Sequence, residues 1–378
     1  MAERSIGSLN KAGDLYHRHV YSRIAATTAR MTDFKAPLTD ALILPAVYAP
    51  ELLIGTNIYV FLTSSSSGDY LMQMAGGMGI ALGTMMVTYG GNYFRTPIDK
   101  KIGIQANPNM NAEEELDFVI ERLNNLKGAK PISTESLPAH THAAVQQFLR
   151  QHEGYSIESS QRVKFSRFSD LMMWKHSVGG LMNPFLQEIV MFTQLYPEAF
   201  AHEQAHLAGI PQERLAEFTG IAAQIESPHP YIQSLGYQHW MGRLAWHQGE
   251  EWGIDPKAAS GVKREQSHAK LRERGLDDEI VNMLVERDRL LDELTDTPRS
   301  YGKYVSKAVD AALHNMPQSV SSRLPTRLVA FLQDPERGLA DGLRSVIMMA
   351  TRQKNVKASY SEQPLKLLSS YRQQFGID

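Results

Sequence analysis

His202, Glu203 and His206 stand in the run Tyr196-Pro-Glu-Ala-Phe-Ala-His-Glu-Gln-Ala-His-Leu-Ala-Gly209. On a helix, histidines four apart project from one face, so both imidazoles reach one point. Two neutral imidazoles so placed bind a divalent ion, zinc above all. One zinc per chain is the expectation. Glu203 lies about 100° round the helix from His202, where it takes a proton from metal-activated water without being a ligand. Ala201, Ala205 and Leu207 give the small, apolar surroundings of a buried site. This is the His-Glu-x-x-His arrangement of zinc metallopeptidases.

Such a site needs a third protein ligand and an open position. Gly209 allows a sharp turn and Pro211 starts a second helix, with Glu213 in its first turn and Glu217 one turn later on the same face. Glu213 is the first choice of ligand. Glu217 is the alternative, as ligand or as the group that orients one. Glu226 and His229 follow. Gln212 stands where His-Glu-x-x-His-x-x-Gly-x-x-His peptidases have their last histidine, which excludes that subfamily. Upstream, Glu188 is a further acid that could orient a histidine ligand. Tyr196, Tyr231, Tyr237 and His239 are candidate donors to an oxyanion, and Trp240 and Trp246 read as packing residues.

The run Gly179-Gly-Leu-Met-Asn-Pro-Phe-Leu-Gln-Glu188, followed by Phe200-Ala-His-Glu-Gln-Ala-His206, resembles a family of bacterial membrane proteins catalogued as a domain of unknown function. That family looks like a zinc-metallopeptidase clan. The resemblance implies a membrane hairpin at the N-terminus and a Pro-Phe-x-x-Glu element, matched by Pro184, Phe185 and Glu188. It also implies a Glu-x-Glu-Ala-Asn-like segment after the glycine. Here that segment reads Glu213-Arg-Leu-Ala-Glu217, so Glu213 keeps its place while Leu215 and Glu217 depart. The resemblance supplies no substrate.

The elements that position these residues are mostly helices. The chain has 378 residues and no cysteine, so any metal is held by His, Asp or Glu, and disulfides are excluded. Lys plus Arg total 39 against 41 Asp plus Glu, which argues against nucleic acid as a partner. Met1 to Lys35 is polar, with helical periodicity through Leu15, Val20, Ile24 and Met31, and lacks the plan of a signal peptide. Tyr70 to Phe94 carries no charge and is long enough for a bilayer, which needs roughly 20 apolar residues. Ala41 to Leu62 is a weaker span, broken by Pro45, Pro50 and Glu51. With the polar Thr63–Asp69 between them, the two form a hairpin. Arg4, Lys11, Arg18, Arg23, Arg30 and Lys35 precede it, and Arg95, Lys100 and Lys101 follow. That pattern puts both ends on the cytoplasmic face.

Beyond the hairpin, Ala112–Leu126, Ala143–Gln151 and Asp277–Glu293 read as helices. Residues 155–168 leave room for a small strand element, and 249–265 reads as a linker. A last helix is expected over 338–352, with a loosely held tail from Lys354. The expected fold is mainly α: an N-terminal transmembrane helical hairpin, then a helical zincin-like metallopeptidase domain with at most a small strand element. The expected divisions are an amphipathic segment 1–40, the hairpin 41–94, the catalytic domain 95–250 and a C-terminal helical region 251–378.

The functional expectation is a zinc metallopeptidase of the bacterial inner membrane, with its catalytic domain on the cytoplasmic side. It would act on a peptide or protein substrate, with the lipid bilayer as partner through residues 41–94. Gly79-x-x-x-Gly83 suits a homo-oligomer through the Gly-rich span. The alternatives are a catalytically inactive membrane sensor or scaffold that retains a structural metal, favoured by the missing acid at Leu215, and a soluble helical metallohydrolase.

Overall fold

A computed structural model describes residues 2–29, 90–154, 163–165, 180–183, 188–191, 196–249, 251–254, 260–296 and 354–377. They are mainly helical. The first helix runs as α1 (Ala2–Tyr16), a π turn (His17–Tyr21) and α2 (Ser22–Ala29). A 3-10 turn at Gly90–Phe94 leads to α3 (Ile98–Ile102), α4 (Ala112–Asn125) and α5 (Leu137–Glu153). Three short strands follow: β1 (Val163–Phe165), β2 (Gly180–Asn183) and β3 (Glu188–Met191). Then come α6 (Ala199–Leu207), α7 (Glu213–Ile225), α8 (Pro230–Gln248), α9 (Ser260–Glu273), α10 (Asp278–Asp296) and α11 (Lys354–Phe375).

The centre of the domain is α7. Every residue from Leu215 to Ile225 is buried, because α5, α6, α8 and α11 pack around it. Gly220 permits one of the close approaches. A Cβ there would lie 2.9 Å from the backbone nitrogen of His202, so only glycine lets α6 sit so near. Around α7, Leu116, Val119, Ile120 and Leu123 of α4 join Tyr237, Trp240 and Leu244 of α8 in one apolar core. Local chemistry starts α4 where the sequence places it: the Asn111 side chain accepts from the N–H groups of Glu113 and Glu114, and three glutamates fill the first turn.

The strands form one sheet in the order β1-β3-β2, with β1 parallel and β2 antiparallel to β3. Only the region of β1 is foreseen by sequence alternation. β2 and β3 span four residues each, too short for period-two patterning to register. Both pack against α6.

Two readings are corrected. In the tail expected to be loosely held from Lys354, Leu365, Leu368 and Tyr371 are buried at helical spacing against the core. Leu271, Ile280 and Val281, beyond position 250, also belong to that core. In the first helix the buried stripe is Gly13, His17, Tyr21 and Ala25, whereas Leu15 and Val20 are exposed. The hairpin expected over 41–94 lies outside the described residues except for Gly90–Phe94, as does the helix expected over 338–352. Among the described residues no helix is long and apolar enough to cross a membrane.

Polar contacts fasten the first helix to the domain. Asp14 accepts from the N–H and hydroxyl of Thr96 at 3.1 and 2.7 Å and pairs with Lys101. His17 Nδ1 lies 2.7 Å from Asn92 Oδ1. Arg95, expected as a flanking cation at the membrane, is instead buried in an ion pair with Glu153. Removing one member of such a pair typically costs about 3–5 kcal/mol. Burial, aided by the charge of Arg95, holds the His17 pKa well below its ordinary 6.5. The folded state keeps this imidazole neutral while the unfolded chain protonates it, so stability is fully present above 6.5 and is lost as pH falls below it. Thermal unfolding followed from about pH 7.5 to about pH 5.5 should show a smaller acid loss in His17→Gln than in the wild type. Equal slopes would contradict this assignment.

Candidate metal centre

The site begins at the end of α6. Gly209 takes a left-handed backbone, φ 81°. The Gly209 N–H then bonds to His206 O at 2.8 Å, and the Ile210 N–H to Ala205 O at 3.1 Å. This paired closure satisfies two carbonyls that the helix end leaves open. Three more are taken from outside: Tyr21 donates its hydroxyl to Leu207 O at 2.5 Å, and Arg95 donates to Ala208 O and Gly209 O at 3.3 and 3.0 Å. The turn also aims the carbonyl of Ile210 at His206 Nδ1, 2.8 Å away.

That carbonyl can only accept, so His206 Nδ1 carries the proton and Nε2 keeps its lone pair. His202 is set in the same way. Its Nδ1 donates to Glu217 Oε2 at 2.9 Å, which leaves Nε2 as the free donor atom. The two Nε2 atoms face each other at 3.1 Å. Glu213, in the first turn of α7, brings Oε2 to 3.2 Å from His202 Nε2 and 3.4 Å from His206 Nε2. Its side chain is 62 % exposed. His202, His206 and Glu213 form the one group of potential metal ligands among the described residues.

Two lone pairs at this distance repel unless a cation lies between them. Without a metal that cation is a proton: burial alone would push the His202 pKa down, but hydrogen bonds to Glu213 and Glu217 outweigh it and hold it up at about 10. The same two histidines hold Glu213 well below the ordinary carboxylate range. A zinc ion meets the same demand. With nitrogen and oxygen ligands at about 2.0–2.1 Å, tetrahedral zinc sets neighbouring ligand atoms about 3.3–3.4 Å apart. The triangle of 3.1, 3.2 and 3.4 Å fits that spacing.

Glu217 does not join the triangle. It is buried and lies behind His202, with Oε1 paired to His239 Nε2 at 2.9 Å and to Arg243 Nε. These partners keep its carboxyl ionised despite burial. Glu203 is also buried, and burial pushes its pKa above the ordinary 4.5. The positive ends of His202 and His206 and the backbone of Met182, on β2, draw it partly back.

The expected oxyanion donors make other contacts among the described residues. Tyr237 is buried edge-on against Phe118, because it shares with Trp240 the face of α8 that meets α4. Tyr231 packs on the cluster of Ile189, Phe200 and Ile232. His239 is committed to Glu217. Glu226 accepts from the Tyr371 hydroxyl, and the His229 side chain caps the start of α8. The backbone of Glu188 pairs with Asn183 in the sheet. Trp240 packs in the core, whereas Trp246 is exposed. Sequence reasoning missed Arg243, Arg95 and Tyr21, whose partners lie 26, 113 and 186 positions away.

Replacing an outer-shell partner of a ligating histidine typically costs about 10–100-fold in metal affinity. Glu217→Ala should weaken zinc binding by that order in a competition titration with a chromophoric chelator, with a smaller loss in Glu217→Gln. Unchanged affinity in both variants would show that the carboxylate has no part in holding the site.

A family model described as Protein of unknown function (DUF3810) matches residues 16–264. No curated protein and no solved structure matches the chain.

Proposed function

The chain belongs to that family of unknown function, and we propose that it is a membrane-anchored zinc metallopeptidase. The observation that carries the reading is the triangle of His202 Nε2, His206 Nε2 and Glu213 Oε2, with a buried glutamate beside the first ligand. His202, His206 and Glu213 would hold the ion and leave a fourth position open. When bound, zinc supplies Lewis acidity that polarises the scissile carbonyl and acidifies the attacking water.

Glu203 performs the proton transfers. It accepts a proton from the attacking water and delivers it to the leaving amine. A raised pKa suits both halves of that task, since the group must release the proton it takes. Glu217, His239 and Arg243 act behind the site, fixing the His202 ring and its tautomer.

Membrane anchoring rests on the uncharged stretch 70–94 and on the cations flanking the hairpin, with the catalytic domain on the cytoplasmic side of the inner membrane. The alternative of an inactive scaffold draws on the missing acid at position 215, where Leu215 lies fully buried in the core around α7.

Metal analysis of detergent-purified protein tests the reading. About one zinc per chain is expected in the wild type and in Glu203→Gln, with loss in His206→Ala and Glu213→Ala. Hydrolysis of a peptide library should fall by about 10²–10⁴-fold in Glu203→Gln. A wild type that takes up no zinc, or turnover unaffected by Glu203→Gln, would overturn it.

A further inference from the structure

The first helix keeps apolar side chains on its outer face. The stripe it turns to the domain is Gly13, His17, Tyr21 and Ala25, of which Tyr21 and Ala25 form a small apolar cluster with Tyr16 and Met182. Three aliphatic side chains point outward nonetheless: Leu9 is 50 % exposed, Leu15 59 % and Val20 43 %. An amphipathic helix docked on a soluble domain puts such residues inward. Here polar contacts hold the inner face, through Asp14 to Thr96, His17 to Asn92 and Tyr21 to Leu207.

A second element adds to this surface. The turn Gly90–Phe94 lies directly against α1. A Cβ on Gly13 would fall 2.1 Å from the backbone of Phe94, and one on Gly91 would meet the Tyr16 ring at 2.4 Å. Tyr93 and Phe94 are exposed by 53 % and 46 %. They close the uncharged stretch that begins at Tyr70. The described chain ends at Ala29 and resumes at Gly90 beside α1, with Tyr93 and Phe94 just after that point. Lys11, Arg18 and Arg23 of the same helix and Lys100 after the turn are exposed cations.

We propose that the pair formed by the first helix and Gly90–Phe94 is a bilayer-docking face, seated in the headgroup region of an anionic phospholipid membrane. The exposed Leu9, Leu15 and Val20, the aromatic residues at the end of an uncharged run and the surrounding cations fit that one occupant. The inference rests on the membrane-anchored reading and extends it by naming the face of the domain that meets lipid. It has a consequence for the metal centre. The same helix holds the C-terminal end of α6 through Tyr21, and Arg95 follows the docked turn directly. The His-bearing helix is thus fastened to the membrane-seated element, which favours substrates cut close to the membrane surface.

The absence of cysteine makes the test direct. Single variants Leu15→Cys, Phe94→Cys and, as a control, Val285→Cys of the full chain are labelled with an environment-sensitive fluorophore. They are then reconstituted into vesicles of phosphatidylethanolamine and phosphatidylglycerol carrying nitroxide-labelled lipid. Labels at positions 15 and 94 should be quenched by the lipid, and the label at exposed Val285 should not. Vesicle-bound protein with unquenched labels at 15 and 94 would overturn the docking face, as would excimers between pyrene-labelled copies, which mark a second chain as the occupant. Protein that fails to float with vesicles would overturn membrane anchoring and the docking face together. Zinc content, read on the same variants, reports separately on the metal centre.

Discussion

The left-handed turn at Gly209 is the constraint on which the rest of the site depends. A side chain there would face the unfavourable left-handed conformation, about 1–2 kcal/mol, and its Cβ would lie 2.5 Å from the ring of His17. With glycine in place the chain reverses tightly after Leu207. The turn then does three things at once. It closes the α6 carbonyls, points the Ile210 carbonyl at His206 Nδ1, and starts α7 so that Glu213 returns to the two histidines. Glycine at position 220 completes the reversal by letting α7 lie against the backbone of His202.

Close packing then turns into chemistry through tautomers. Each histidine spends its Nδ1–H on a fixed acceptor, Ile210 O or Glu217 Oε2. What remains is a pair of lone pairs held 3.1 Å apart beside a carboxylate. Such an arrangement is unfavourable until a cation arrives. Glu217 makes the demand stronger, because His239 and Arg243 keep it ionised where burial alone would neutralise it. Buried charges of this kind persist only when paired and hydrogen-bonded, and here Glu217 is paired with His202, His239 and Arg243 at once. The first helix and Arg95 hold the far end of α6 in the same spirit, by carbonyl contacts and a buried ion pair.

Local pattern made much of this legible. The four-residue spacing of His202 and His206, the glycine stop and the proline start placed α6, α7 and Glu213 without any tertiary information, since each depends on residues within a turn or two. The network behind His202 was only partly legible. Glu217 fell on the right face, but its partners come from α8, more than twenty residues on, where no local signal ties them to it. His239 and Tyr237 read as oxyanion donors from residue type alone, and helix phase sends one to Glu217 and the other into the core. The first helix misled for a different reason. Periodicity finds the stripe of Leu15 and Val20 and assumes that it faces inward, whereas here the stripe through Gly13, His17, Tyr21 and Ala25 does. Strands β2 and β3 escaped because four residues each are too short to pattern, and the docking of α11 because its stabilising contacts are distant in sequence.

X-ray absorption at the zinc edge of the metal-loaded full chain tests the central claim most directly, because it reads the ligand set itself. The account predicts two imidazole rings with zinc–nitrogen distances of about 2.0–2.1 Å and two oxygen ligands, with no such bound zinc in Glu213→Ala. A spectrum with one imidazole or none, or a six-oxygen shell indifferent to His206→Ala, would contradict it.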